Sequence, residues 1–171
     1  MITAETISKV LGSSEANVKA NWPIIVSALI ATGIDSPMVR IAAAATVMVE
    51  TGSFRPVIEK LAKEDKQPDL YKSQMRYFPF IGRGFVQITW EKNYQIFGGL
   101  IGVDLIEHPE AAMEPGNAAR ILAEYFKRTG VHNAANVQDW RKVRRLVNGG
   151  YNGWDSFIGY VHALMEASGA Q

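Results

Sequence analysis

Apolar residues recur along most of the chain at the spacing of a helix face, broken by residues that start and stop helices. Residues 3–11 predict a first short helix, ended by Gly12. Ser14 is placed to cap a helix over 15–20. Asn21 and Pro23 predict a separate one that runs to Ala31 and stops at Gly33. Ser36 followed by Pro37 is a strong helix opening, because proline lacks only an N–H that the first turn leaves unpaired anyway. That helix carries Ile41-Ala-Ala-Ala-Ala-Thr-Val-Met-Val49, which predicts burial, and it ends near Glu50–Gly52.

The pattern changes over residues 53–85. Pro56, Pro68, Pro79, Gly82 and Gly84 interrupt it, and aromatic residues are frequent. This predicts irregular chain with a short β-hairpin. Thr89 is expected to cap a helix over 90–97, and further helices are expected over 116–129, 137–147 and 154–167. Phe157, Tyr160, Val161 and Leu164 fall at helical spacing and predict core. The expected fold class is mainly α, with one small loop-rich or β segment after the helix that closes on Glu50. Functional loops on a rigid helical frame are a common arrangement.

The length of 171 residues suits one domain over 1–171, with two lobes allowed. Neither half has the basic excess of a nucleic-acid binder: residues 1–85 carry ten basic and eight acidic side chains, and 86–171 carry eight and nine. The absence of cysteine excludes disulfides, thiol nucleophiles and thiolate metal sites. Residues 1–20 lack the apolar region of a secretory signal, and no apolar run approaches the ~20 residues of a membrane span. The sequence reading is therefore a chain made in the cytoplasm, without stable membrane insertion, which needs separate help to act outside.

Phosphate-binding glycine loops, zinc-protease helices and serine-nucleophile elbows are missing from the sequence. His108, His132 and His162 are scattered, and each is read as structural. Carboxylate chemistry remains. Glu50 closes a buried helix, where desolvation and the negative end of the helix dipole both disfavour its charge. That suits a general acid, although the same local pattern also fits a residue that ends the helix in solvent. Glu59 lies nine residues on. With Gly52 and Pro56 between them, the chain must turn back if both acids are to face one cleft. On local pattern alone Glu59 reads as a surface residue. Glu64 and Asp65 sit in a charged turn, Lys63-Glu-Asp-Lys66.

The segment from Tyr77 to Tyr94 carries the most information. Two glycines flank Arg83, and Phe85–Thr89 is expected to be a short extended piece with Gln87 and Thr89 on one side. Amide and hydroxyl groups beside aromatic rings suit a sugar. Arg141-Lys-Val-Arg-Arg145 is read as the solvated face of a helix, with attraction to an anionic bacterial envelope as the sharper alternative. Tyr151 and Trp154 read equally as sugar-stacking or as packing residues.

Three blocks in order resemble glycoside hydrolase family 19, the chitinase and phage-endolysin group with a lysozyme-like α+β fold. They are Glu50-Thr-Gly-Ser-Phe54 with Glu59 downstream, Gly82-Arg-Gly-Phe-Val-Gln-Ile-Thr-Trp-Glu-Lys-Asn-Tyr94, and Leu146-Val-Asn-Gly-Gly150. The likeness spans about residues 36–160, and Met1 to Ser36 looks like the phage endolysin branch. The resemblance implies Glu50 as general acid, Glu59 as general base, and Thr89 holding the water. It implies Gln87, Asn93 and Asn148, with Arg83 and Tyr94, as the sugar-binding set. It implies no metal or cofactor. Two features depart from the family: Val49 stands where it often has His, and the loop Lys60–Gln67 is short and charged.

The function so implied is an inverting hydrolase of β-1,4 bonds in peptidoglycan, acting in host cell lysis. The enzyme would be monomeric, held in the host cytoplasm, and released to the periplasm and wall by a separate membrane-lesion protein. No wall-binding domain is expected. Chitinase, lytic transglycosylase and a non-catalytic glycan-binding or virion protein are the alternatives.

Overall fold

The computed structural model describes residues 2–170. The order of elements is α1 (Ala4–Leu11), α2 (Glu15–Thr32), α3 (Pro37–Thr51), β1 (Val57–Ile58), α4 (Pro68–Met75), β2 (Arg83–Gly84) and α5 (Glu91–Ile101). A 3-10 turn (Pro109–Met113) follows, then α6 (Pro115–Thr129), α7 (Val131–Asn136), α8 (Trp140–Asn148) and α9 (Trp154–Ser168). The expectation of a mainly α chain with a small β segment after α3 holds.

Helix α3 is the axis of the molecule. The Ser36 hydroxyl accepts from Val39 N at 3.1 Å, and Pro37 opens the first turn. Ala42, Ala43, Ala44 and Ala45 are wholly buried, so helices α1, α7, α8 and α9 pack around a slender core helix. Gly52, at φ 61°, ends it by donating to Met48 O at 2.8 Å. Glu50 is thereby fixed in the last turn of the most enclosed helix. On the other side α2 packs against α1 and α6.

Several element expectations need correction. Residues 15–32 form one helix rather than two, with Pro23 inside it. Pro23 and Lys19 are both exposed, so the carbonyl freed by the missing N–H faces water, while Val18, Trp22, Ile25 and Leu29 hold the buried side. Helix α4 departs from the expected irregular chain: Pro68 reads as a breaker and the segment lacks an apolar stripe, yet Pro68 opens the helix. Helix α7, only six residues long, is also an addition to the expected elements. The helix expected over 137–147 begins at Trp140, after Asp139 caps Lys142 N at 3.1 Å.

The β segment is minimal. β1 and β2 pair antiparallel, with Val57 opposite Gly84 and Ile58 opposite Arg83. Phe85–Thr89 is a tight turn, not an extended piece. Arg83 and Ile88 exchange backbone bonds of 3.3 and 3.2 Å across it, and Gln87 sits at φ 52°. Buried Phe85 and Val86 anchor this turn to the core. Thr89 does not cap α5. Trp90 occupies the cap position, and the Thr89 hydroxyl donates to Gln87 O at 3.1 Å.

Candidate functional site

The turn after Glu50 is held from three directions. Asn17 Nδ2 donates to Ser53 O at 2.8 Å, and buried Asn21 donates to Phe54 O at 3.1 Å. Thr51 Oγ1 accepts from Phe54 N at 3.0 Å. Buried Phe54 takes a left-handed backbone, φ 56°, with its ring against Trp22. The chain thus turns back after Gly52 into β1, which leads directly to Glu59.

Glu50 is not in the apolar setting expected for it. Its Oε1 accepts from Arg144 Nη1 at 2.5 Å, and the Arg144 side chain is only 3% exposed. Arg144 also donates through Nε and Nη2 to Asn152 O. A guanidinium therefore stands where the helix end presents partial negative charge. Glu50 Oε2 accepts no hydrogen bond from the described residues. Tyr125 donates to Leu146 O at 2.9 Å, and burial, with the Glu50 charge second, pushes its phenol up. Gly153, at φ 70°, lies so close that a Cβ there would meet Val49 Cγ1 at 3.0 Å. The 149–153 loop is thus pressed onto the end of α3.

Glu59 has a different environment. Oε1 accepts from Tyr77 OH at 2.8 Å and Gln74 Nε2 at 3.0 Å, and Oε2 accepts from Gly82 N at 3.0 Å. Burial pushes its carboxyl up, but the bonds from Gly82, Gln74 and Tyr77 outweigh that and hold it below the usual value. The phenol of Tyr77 is pushed up to about 12 by burial and by the Glu59 carboxylate, so it stays a donor. Buried Gln74 also accepts from Ala62 N at 2.7 Å and donates to Lys60 O at 2.9 Å, which ties the short charged loop to Glu59.

Gln87 lies beside this group. A Cβ on Gly82 would stand 2.9 Å from Gln87 Oε1 and 3.4 Å from Glu59 Oε2. The Gln87 amide nitrogen is occupied by Val57 O and Gly84 O at 2.8 and 3.0 Å. Asn93 donates to Thr89 O at 2.8 Å. Thr89 and Asn93 are half-buried at the mouth of α5.

Two of the expected sugar-binding residues are internal struts instead. Tyr94 is fully buried and donates to Ile81 O at 2.5 Å. Arg83, 8% exposed, donates from Nη1 to Tyr94 OH and Pro79 O. Their polar ends are turned into the protein, so they shape the turn and do not present donors to a ligand. Asn148 is the last residue of α8, and its Oδ1 is shut off from solvent without a hydrogen-bond partner among the described residues.

The sequence reading missed Arg144, Gln74 and the two asparagines of α2. A signal for Arg144 is present in the chain. Trp140, Val143, Arg144 and Val147 fall on one inward stripe, and Arg141, Lys142 and Arg145 are the exposed residues of the same run. The solvated-face reading is correct for those three and wrong for Arg144. Gln74 gives no such signal, lying in a polar stretch. The histidines are apart, with His132 Nδ1 on Phe126 O at 3.0 Å and His162 exposed. A cavity of about 300 Å³ lies at the opposite end of α3, lined by Ile2, Pro37, Met38 and Ile41. Its one cation, Arg40, is already paired with Asp35.

No family model matches the chain. It is 33% identical over 70 residues to an acidic endochitinase, SP2, of Beta vulgaris, a match covering 41% of this chain and 24% of that protein. It is 34% identical over 84 residues to a glycosyl hydrolase family 19 domain-containing protein of Haemophilus influenzae, covering 49% and 40%. The chain thus spans less than half the length of the curated relatives it matches. Chitinase C of Streptomyces griseus superposes with a TM-score of 0.71 at 22% identity, over 99% of this chain and 77% of the other. A bacterial family 19 chitinase superposes at 0.67 and 19% identity, over 95% and 94%. The chain has the lysozyme-like fold of the family 19 chitinases. Its sequence is similar to glycosyl hydrolase family 19 proteins.

Proposed function

We propose that this chain is a glycoside hydrolase that cuts the β-1,4 bonds of bacterial peptidoglycan by inversion. The observation that carries the reading is the contrast between its two carboxylates. Three donors keep Glu59 ionised, as a base requires. Glu50 is held through one oxygen only, on a guanidinium that the Asn152 carbonyl also fixes, and Oε2 is the atom proposed to deliver the proton. Arg144 is anchored on the Asn152 carbonyl through Nε and Nη2, apart from the Nη1 that meets Glu50. Glu50 protonates the glycosidic oxygen as the bond to the sugar breaks. Glu59 removes a proton from the water that attacks the anomeric carbon from the opposite face, and Thr89 helps to hold that water. Inversion needs about 6.5–9.5 Å between the carboxyl groups. Half-buried Gln87, Asn93 and Asn148 border the same segments and are proposed to bind sugar. The biological role proposed is that of a phage endolysin, monomeric, kept in the host cytoplasm and admitted to the wall by a separate membrane-lesion protein.

Chitin is the second reading, favoured by the names of the relatives and structural neighbours. Digestion of purified Gram-negative peptidoglycan and mass spectrometry of the soluble fragments separate the two. Fragments carrying an added water, absent with Glu50→Gln, support hydrolysis, and the reducing-end sugar names the bond. Fragments ending in a 1,6-anhydro sugar make the protein a lytic transglycosylase and remove the role of Glu59. Activity on chitin alone overturns the peptidoglycan reading. No cleavage of either leaves a glycan-binding protein.

A further inference from the structure

Beside the Glu50–Arg144 pair lies a cation that the hydrolytic steps do not use. Arg141 stands one turn before Arg144 on α8. Its guanidinium carbon is 4.9 Å from the ring centre of Trp154 and 5.7 Å from that of Tyr151. The two rings meet edge to face at 6.2 Å, and Trp154 leans on buried Phe157. Tyr151 is 47% exposed. Among the described residues the Arg141 side chain has no hydrogen bond and no ion pair. The neighbouring acids do not engage it: Asp139 caps Lys142 N, and Asp155 makes no ion pair. Asn152 lies between Tyr151 and Trp154 in the sequence, and its carbonyl receives Arg144, which in turn holds Glu50. One short loop therefore carries both the contact to the general acid and the aromatic surface.

We infer that Arg141, Tyr151 and Trp154 form a recognition site for a carboxylate-bearing sugar next to the bond that is cut. This rests on the hydrolytic reading and adds to it a basis for choosing acidic over neutral amino-sugar polymers. The exposed Tyr151 ring offers a flat face to the C–H side of a pyranose. The guanidinium, resting against two rings, gives up little further freedom when it donates its paired N–H groups to a carboxylate. An unheld surface lysine would gain little from such an encounter. Chitin has no carboxylate to offer. In peptidoglycan the lactyl-ether sugar offers its own carboxylate where the peptide has been removed, and the carboxylates of the peptide where it remains, since the peptide is joined through the lactyl carboxyl.

The test compares kcat/KM on peptidoglycan fragments and on chitin oligosaccharides of equal length, for the wild type, Arg141→Gln and Arg141→Lys. The ratio of the acidic to the neutral substrate is expected to fall about tenfold in Arg141→Gln, through KM, since a hydrogen bond to a charged group contributes on the order of 1.5 kcal/mol. Arg141→Lys is expected to recover part of it. Tyr151→Ala is expected to weaken both substrates. An unchanged ratio in Arg141→Gln, or an equal loss on both substrates with a lowered melting temperature, overturns the inference. If the wild type cuts neither substrate, the hydrolytic reading fails by itself. Tryptophan-fluorescence titration of wild type and Arg141→Gln with the same fragments then decides the site. A preference of the wild type for the acidic fragment that Arg141→Gln loses supports the site, and equal binding overturns it.

Discussion

Two carboxylates nine residues apart are given different partners: a single guanidinium for Glu50, and three neutral donors for Glu59. Glu59 has donors on both oxygens, and its ionised form is the favoured one. Tyr77→Phe removes one of these donors and keeps the ring against Trp90, with centroids 5.0 Å apart. The Glu59 carboxyl is then expected to rise, and the acid limb of the pH–rate profile to move to higher pH, with the alkaline limb unmoved. A profile that keeps its acid limb would mean another group governs it. Glu50→Gln keeps the shape of the side chain but has no acidic proton, so kcat is expected to fall by about 10²–10⁴. Arg144→Ala is a different experiment. It removes the guanidinium that joins Glu50 Oε1 to the Asn152 carbonyl, and losing one partner of so enclosed a pair costs about 3–5 kcal/mol. Urea unfolding is expected to show that loss, and Arg144→Ala with Glu50→Gln together is expected to show less than the sum of those two single changes.

At the scale of elements, the site depends on how closely backbones approach. The alanines of α3 let four helices surround it, so Ala44→Leu is expected to destabilise by about 1–3 kcal/mol in denaturant unfolding. Gly82 is different, because its open space is shared with Glu59 and Gln87. A methyl there would meet the flexible end of Gln87 and the Cβ of Glu59 at 3.3 Å. Gly82→Ala is therefore expected to lower activity far more than it lowers the unfolding midpoint. The same elements show what is legible in the chain. Ser36-Pro37, the alanine run and Gly52 together specify α3, and the Gly-Arg-Gly block marks the second half of the site. Pro23 and Pro68 read as breaks, since a proline's effect depends on which way its backbone faces: water for one, the first turn of a helix for the other. Arg144 is hidden among surface cations unless helical phase is weighed before charge. The conversion of Arg83 and Tyr94 into struts is invisible in the sequence, since only packing decides whether a motif residue faces in or out.

At the scale of the whole molecule, the candidate site draws on residues 50–59, 74–93 and 144–154, and the packing of α3 against α8 and the β1–β2 pair link the first of these segments to each of the other two. The order of helices can be read locally; this assembly cannot, because it depends on contacts across about a hundred residues, such as Glu50 to Arg144. The site therefore also contributes to global stability, and pH can report it. Glu59 binds its proton less readily folded than unfolded. Across that window the unfolded state holds more protons, so stability rises with pH. The contribution is complete above the unfolded value of about 4.3 and is lost as pH falls through the lower folded value. Glu15 is shifted the same way by Lys19, but that pair is exposed, and salt screens it. Hydrogen bonds from Gly82, Gln74 and Tyr77 are much less sensitive to salt. Melting temperatures measured from pH 6 down to pH 3 in high salt are thus expected to fall less steeply in Glu59→Gln than in the wild type. Parallel curves would show that Glu59 is not tied into the fold through its charge, and its three donors would then no longer account for a base that is ionised in advance.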